Sequence, residues 1–217
     1  MARIKIGNVF PPAEYLLKHC APAGYGLGDT SGKSVLWSEI DNAKEFGIWA
    51  IWGSDGIKTV NGISFYYANM LVLPLDTNAV TQMLFPIVEN TSAVLIRRCV
   101  GGVWQEWEWP DPPMSPGVEY RTTERWDNKP VYTTLVDCDK LAVGANTVTT
   151  EHSALHILRY CGHAGGYGLP MINGTLDNEY SAWANATDSN GYLQVGIYCG
   201  SGVAGNTGRV QVWYTKP

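Results

Sequence analysis

The chain has 217 residues, enough for one large or two small domains, and only 16% of them are charged against the roughly 25% usual in soluble domains. The net charge is −5 with no basic run, which argues against a nucleic-acid partner, and no apolar run approaches the ~20 residues that span a bilayer, which argues against membrane insertion. The 24 glycines, 12 tyrosines and 9 tryptophans fit short strands and tight turns better than helices, and the low charge points to surface buried against another subunit.

Residues 1–28 read as a lead-in and oligomerisation segment. Ile4, Ile6 and Val9 alternate with polar residues as in a short strand. Pro11 and Pro12 then stop it and open a short helix over 13–20, with Tyr15, Leu16 and Cys20 as its apolar set. A Gly/Pro turn cluster, APAGYGLG, follows. This segment cannot bury itself and is expected to pack on the next domain or on another copy. The start MARIKIGNVF lacks the apolar core of a signal peptide, so the chain is expected to stay in the cytosol that makes it until lysis or release within a particle. Five cysteines, an odd count without a CxxC, then read as free and mostly buried thiols. The N-x-S/T sequons at Asn90, Asn173 and Asn185 read as chance matches.

Residues 29–109 read as a first β domain. Strands are expected at 47–52, 63–67, 70–75, 79–87 and 93–99, with a short helix or turn at 41–46. The run VWQEWEW is expected to set Trp104, Trp107 and Trp109 on one side as core, with a sugar-stacking platform as the alternative. Gln82 reads as a satisfied buried amide, and Arg97 and Arg98 as solvent-facing or inter-strand partners. Residues 110–128 form a Pro-rich linker and joint: PDPPMSP is a stiff spacer, and Asp127-Asn128-Lys129-Pro130 supplies a turn. Residues 129–217 read as an antiparallel β-sandwich, with strands at 131–136, 145–150, 154–161, 169–172, 179–185, 192–199 and 209–215. In the last, Val210, Val212 and Tyr214 share one face. The fold class is therefore mostly β: a lead-in with a short helix, a first β domain and a C-terminal sandwich.

Three pieces of the first domain, IDNAKEFGIWAI, MLVLPLDTNAVTQMLFPI and VLIRRCVGGVWQEWEW, together resemble the pyocin-knob type of domain in tail fibres of phages and R-type pyocins. GVEYRTTERWDNKPVYTTLVD resembles the joint before the C-terminal domain of bacteriophage and prophage tail fibres, and IKIGNVFPP resembles the region upstream of the knob. The order KPVYTTLVD, VTTEHSALHI, YLQVGIYC, VQVWYTKP resembles the C-terminal receptor-binding domain of prophage fibres. SALHI stands where that family has a VAHGI-like strand, so nothing tied to the family's histidine carries over to His156. The resemblance implies a tail-fibre or phage-like bacteriocin tip. It implies a homotrimer that contacts other tail or baseplate proteins and adheres to a bacterial surface receptor such as a glycan. Its place would be the virion tail fibre.

Chemistry-bearing patterns are thin. His152 and His156 are four apart on what reads as one strand, and His163 reads as a turn residue; no metal and no cofactor is expected. Asp177, Glu179 and Asp188 flank Tyr180 and Trp183, and a glycosidase would need two such carboxyls about 5–9.5 Å apart. Solvated loop carboxylates are the simpler reading. No G-x-S-x-G or phosphate loop occurs, so the chain is not expected to be an enzyme. The loops 162–168, 173–181 and 188–191 instead supply a candidate receptor-binding set: His163, Tyr167, Asn178, Tyr180, Asp188 and Asn190, with Trp183 beside them. Aromatic faces with Asn and Asp partners suit a shallow sugar site, although tight turns need the same residue types. The alternatives are an envelope-glycan hydrolase or deacetylase, and a purely structural fibre or baseplate component.

Overall fold

Alternating burial along the strands organises the chain into β-sheets. The computed structural model describes residues 33–88, 93–164, 167–169, 180–185, 191–202 and 204–217, with the backbone alone for 167–169 and 180–185. The expected strand and helix of the lead-in lie outside these residues. Among the described residues no helix is long and apolar enough to cross a membrane.

The first unit is a six-stranded sheet. Its strands are β1 (Ser34–Leu36), β2 (Gly47–Trp52), β5 (Tyr67–Asp76), β6 (Ala79–Ile87), β7 (Leu95–Val100) and β8 (Val103–Trp104), in that spatial order. All neighbours are antiparallel except β1 with β2. One face is core: Ala68, Met70 and Val72 of β5 and Val80, Gln82 and Leu84 of β6 are buried. They are covered by a 3-10 helix at Trp37–Asn42, by the Trp107 and Trp109 side chains, and by a hairpin of β3 (Lys58–Val60) and β4 (Ile63–Phe65). The expected helix or turn at 41–46 is this 3-10 helix, set four residues earlier. The opposite face of the sheet carries Tyr67, Asn69, Leu71 and Leu73, in register with Ile87, Phe85, Met83 and Thr81.

Asn61-Gly62 turns the β3–β4 hairpin with φ of 43° and 85°, the conformation a two-residue hairpin needs and that Asn and Gly tolerate best. Asp127 and Asn128, at 49° and 59°, do the same between β9 (Glu119–Trp126) and β10 (Lys129–Lys140), where the sequence places a turn.

The second unit packs two sheets. A five-stranded sheet runs β13 (Tyr167–Leu169), β12 (His156–Ala164), β16 (Thr207–Thr215), β10, β9; a three-stranded sheet runs β11 (Gly144–Ser153), β15 (Tyr192–Cys199), β14 (Tyr180–Asn185). All their pairings are antiparallel. Leu193, Val195 and Ile197 of β15 meet Val210, Val212 and Tyr214 of β16 in one core, the sandwich that the short, evenly spaced strands predict. The last strand is held between β10 and β12, which orders it so close to the chain end.

One expectation needs correction. The alternating tryptophans do not form one strand. β8 ends at Trp104, which is half-buried, while Trp107 and Trp109 are buried beyond it. Their spacing of three and then two residues cannot hold one face of a period-two strand. Of the two readings of Arg97, solvent-facing or inter-strand partner, the second holds: it points into the core side of β7, is 8% exposed and bonds Gln82 opposite it on β6. Among the described residues Cys99, Cys138 and Cys199 are buried free thiols and Cys161 is exposed on β12, in keeping with the expectation of free, mostly buried cysteines.

Candidate functional site

The receptor-binding candidates fall on the sandwich. His163 is exposed, but it is a strand residue of β12, paired with Gly168 on one side and Arg209 on the other, and not a turn residue. The expected loop at 162–168 is the end of a hairpin, because Ala164 already pairs with Tyr167. Tyr180 and Trp183 lie on β14, opposite Cys199 and Gly196. Asn178, Asp188 and Asn190, and the carboxylates Asp177 and Glu179, lie outside the described residues. His163 and Tyr167 therefore share one sheet, and Tyr180 and Trp183 share the other. His152 and His156 belong to different sheets, separated by the buried Ala154, so their spacing brings no shared ligand face. Among the described residues no group of three or more His, Cys, Asp and Glu is placed to hold a metal ion.

The geometry points instead to a groove of about 570 Å³ where the two units meet. It is lined by Trp37, Asn61, Arg97 and Trp107 of the first unit and by Glu119, Arg121, Tyr132 and Lys216 of the second, with Thr59, Val60, Gln105 and Glu106 between. Its floor is an aromatic–cation stack. The Arg97 guanidinium lies 4.2 Å from the Trp104 ring centre and 4.5 Å from that of Trp107, and Trp107 stacks on Trp37 at 6.2 Å. Desolvated contacts of this kind contribute about 2 kcal/mol each. Arg97 is anchored further by Nε donating to Gln82 Oε1 at 2.9 Å and by an ion pair with Asp41 at 2.6 Å. Burial lowers the Arg97 pKa from its ordinary value, and the Asp41 carboxylate offsets part of that. Gln82 completes the anchor: its Nε2 donates both hydrogens, to the carbonyls of Ile40 and Ala43, so the buried amide is satisfied as the sequence reading expects.

The opposite wall is a charge network. Arg121 bridges Glu106 and Glu108, and Arg125 reaches Glu108 at 2.5 Å. Burial alone would lower the Arg121 pKa, but the two carboxylates outweigh it and hold the guanidinium above its ordinary value. Glu119 accepts from the Tyr214 hydroxyl and from Lys216, whose ammonium also sits 4.4 Å over the Tyr132 ring. Tyr132 in turn stacks on Tyr214 at 6.3 Å. Each of these carboxylates is therefore held by a cation, and the groove offers the uncovered edges of the half-buried Trp37 and Tyr132 rings beside charged groups that are already paired.

A scan against protein-family models finds no match, and a search of curated proteins finds no relative. Among solved structures, the chain is similar to an N-truncated R2-type pyocin tail fibre at 9% identity and a TM-score of 0.27, covering 83% of this chain and 94% of that one. It is also similar to C-terminal pieces of the R1 and R2 pyocin fibres of P. aeruginosa, at 12% and 9% identity and the same TM-score, covering 88% of this chain and 69% and 68% of theirs. The superposition is low, and the functional reading rests on the chain's own residues.

The groove residues are far apart in sequence, from Trp37 to Lys216, and no local motif joins them. The one available signal was Asn61-Gly62, a hairpin turn that places Asn61 between the tryptophan run and the joint. Asn61 Nδ2 donates to the carbonyls of Trp107 and Arg121, and its Oδ1 accepts from the Arg121 N–H, each at 3.0 Å.

Proposed function

We propose that the chain is the tip of a phage tail fibre or of a phage-like bacteriocin fibre, adhering as a homotrimer to a bacterial surface glycan without turning it over. The sequence resemblance of the knob, joint and C-terminal strands supports the fibre assignment. The observation that carries the binding mode is the groove between the units, where exposed parts of aromatic rings stand beside donors already fixed by ion pairs. Sugars present apolar C–H faces and rings of hydroxyls, and such a wall matches both. Engaged carboxylates favour holding over acid–base catalysis, which needs a carboxyl free to exchange a proton. Several weak sites on one trimer would combine into useful avidity.

The test is binding of the full chain to immobilised envelope polysaccharides, with Tyr132→Ala as the groove variant. Retained circular dichroism and affinity at least about tenfold weaker, about 1.4 kcal/mol, is the expected result. Undiminished binding by a folded Tyr132→Ala chain places the site elsewhere. Release of reducing ends from the polysaccharide would instead support the hydrolase reading.

A further inference from the structure

The six-stranded sheet buries one face, and among the described residues no element packs on the other, which is not polar. On β5 and β6 the outward positions in register are Tyr67 with Ile87, Asn69 with Phe85, and Leu71 with Met83. Tyr67 is 49% exposed, Ile87 59% and Phe85 36%. Trp52 of β2 extends the first of these rows, its ring 6.2 Å from that of Tyr67, and is 53% exposed. Leu73 and Leu75 continue the apolar surface toward the other end of β5. A two-sided sheet in water ordinarily alternates apolar-in with polar-out. Here both sides of β5 and β6 are apolar over most of their length, and that departure requires a partner.

The size of the face is informative. With ten residues of β5, nine of β6 and six each of β2 and β7, at about 3.4 Å along and about 4.8 Å across the strands, the footprint is roughly 500 Å². That is in the upper part of the range of patches monomers expose, about 300–600 Å², and more than half of the roughly 800 Å² per partner of a standard interface. Its chemistry discriminates between occupants. A glycan needs a dense set of hydrogen-bonding groups, and this face has few, Asn69 and Thr81 among them. Trp, Tyr, Phe and Met beside aliphatics are the side chains enriched in protein interfaces. The charges also favour a copy of the same chain. Symmetric association brings identical side chains together, so any charge near the axis meets its own kind. The chain carries a net −5, yet the centre of this face holds no carboxylate and no cation; Arg98 lies at its edge on β7.

From this we propose that the outer face of the six-stranded sheet is the surface through which copies of this chain associate, centred on Leu71, Met83 and Phe85. The proposal rests on the functional reading only in sharing its self-association; the choice of face is independent of any glycan.

The test uses the full 217-residue chain and the double substitution Leu73→Glu with Phe85→Glu, both on partly exposed outward positions. Light scattering is expected to give a multiple of 23.8 kDa for the unsubstituted chain and 23.8 kDa for the variant, with matching circular dichroism. An unchanged assembly in a folded variant overturns the proposal, as does an unsubstituted chain that is monomeric at micromolar concentration. If the double variant does not fold, a photo-crosslinking residue at position 69 decides. Bands between copies uphold the proposal, and adducts confined to residues 1–32 of the same chain overturn it. A chain that assembles through this face but ignores every envelope polysaccharide upholds the interface and overturns the adhesion reading.

Discussion

Asn61 shows how much one side chain can carry when its backbone is also specialised. It occupies the left-handed region that a two-residue hairpin demands, and its amide makes three hydrogen bonds to the backbone of Trp107 and Arg121. Its own carbonyl accepts from the Trp109 indole at 2.7 Å. Gly and Ala substitutions separate the two roles. Asn61→Gly keeps the turn and loses the amide bonds, and is expected to cost about 2 kcal/mol. Asn61→Ala adds the strain of a Cβ in that conformation and is expected to cost about 1 kcal/mol more. Urea unfolding of both variants measures the order; equal costs would show that the backbone conformation matters little. Arg97 illustrates the complementary case of a cation kept inside because every surface around it is matched: two indole faces, one amide oxygen and one carboxylate.

At the scale of elements, β9 is shared. Its backbone pairs with β10 in the sandwich, yet Tyr120 is fully buried in the core of the first unit, edge-on to Trp109 at 5.9 Å. Trp109 also bonds across to the same strand, its N–H donating to the Arg121 carbonyl and its carbonyl accepting from the Thr123 N–H. The hairpin turn closes the contact from the other side: a Cβ on Gly62 would lie 2.5 Å from Val118 and 2.8 Å from Tyr120. Tyr120→Ala is therefore expected to cost about 3–5 kcal/mol and to lower amide exchange protection in both units, at Leu84 and at Val212 alike. Loss confined to Leu84 would show the units to be independent. This sharing also marks the limit of what the sequence discloses. The strands 47–52, 79–87 and 192–199 are legible to the residue, because apolar alternation bounded by Gly, Pro and Asn is a local signal. The turn at Asp127-Asn128 is legible for the same reason. β9 sits inside the Pro-rich joint because EYRTTERW is polar, its buried side chains being Tyr120 and Thr122, and its partners lie in both units. β3 leaves no signal because Lys58-Thr59-Val60 is too short to show a period, although Asn61-Gly62 announces the hairpin. The groove was not legible at all, since its walls meet only after both units have folded.

For the whole molecule, two buried acids set an alkaline limit. Burial, with Asp137 and Asp139 beside it, pushes the Cys138 thiol up to about 11 from its ordinary 9.0. Burial and the Glu119 carboxylate likewise raise the Tyr214 hydroxyl above its ordinary value. Both groups are folded in neutral form. The Cys138 contribution to stability is fully present below the ordinary thiol value and is lost as the pH rises from 9 through about 11, whereas that of Tyr214 is lost only above the ordinary phenol value of 10.0. The melting temperature is expected to fall between pH 8 and pH 10.5, and Cys138→Ala is expected to reduce that fall; a flat profile would show that the thiol is not desolvated. The shared strand has a mechanical meaning as well. Load applied to the far end of the sandwich enters β9 along its length, where the hydrogen bonds to β10 resist in shear and not one at a time. It then passes into the first unit through a wedged aromatic ring as well as along the proline-rich spacer. The joint should transmit torque, so that a twist applied to the sandwich turns the first unit with it.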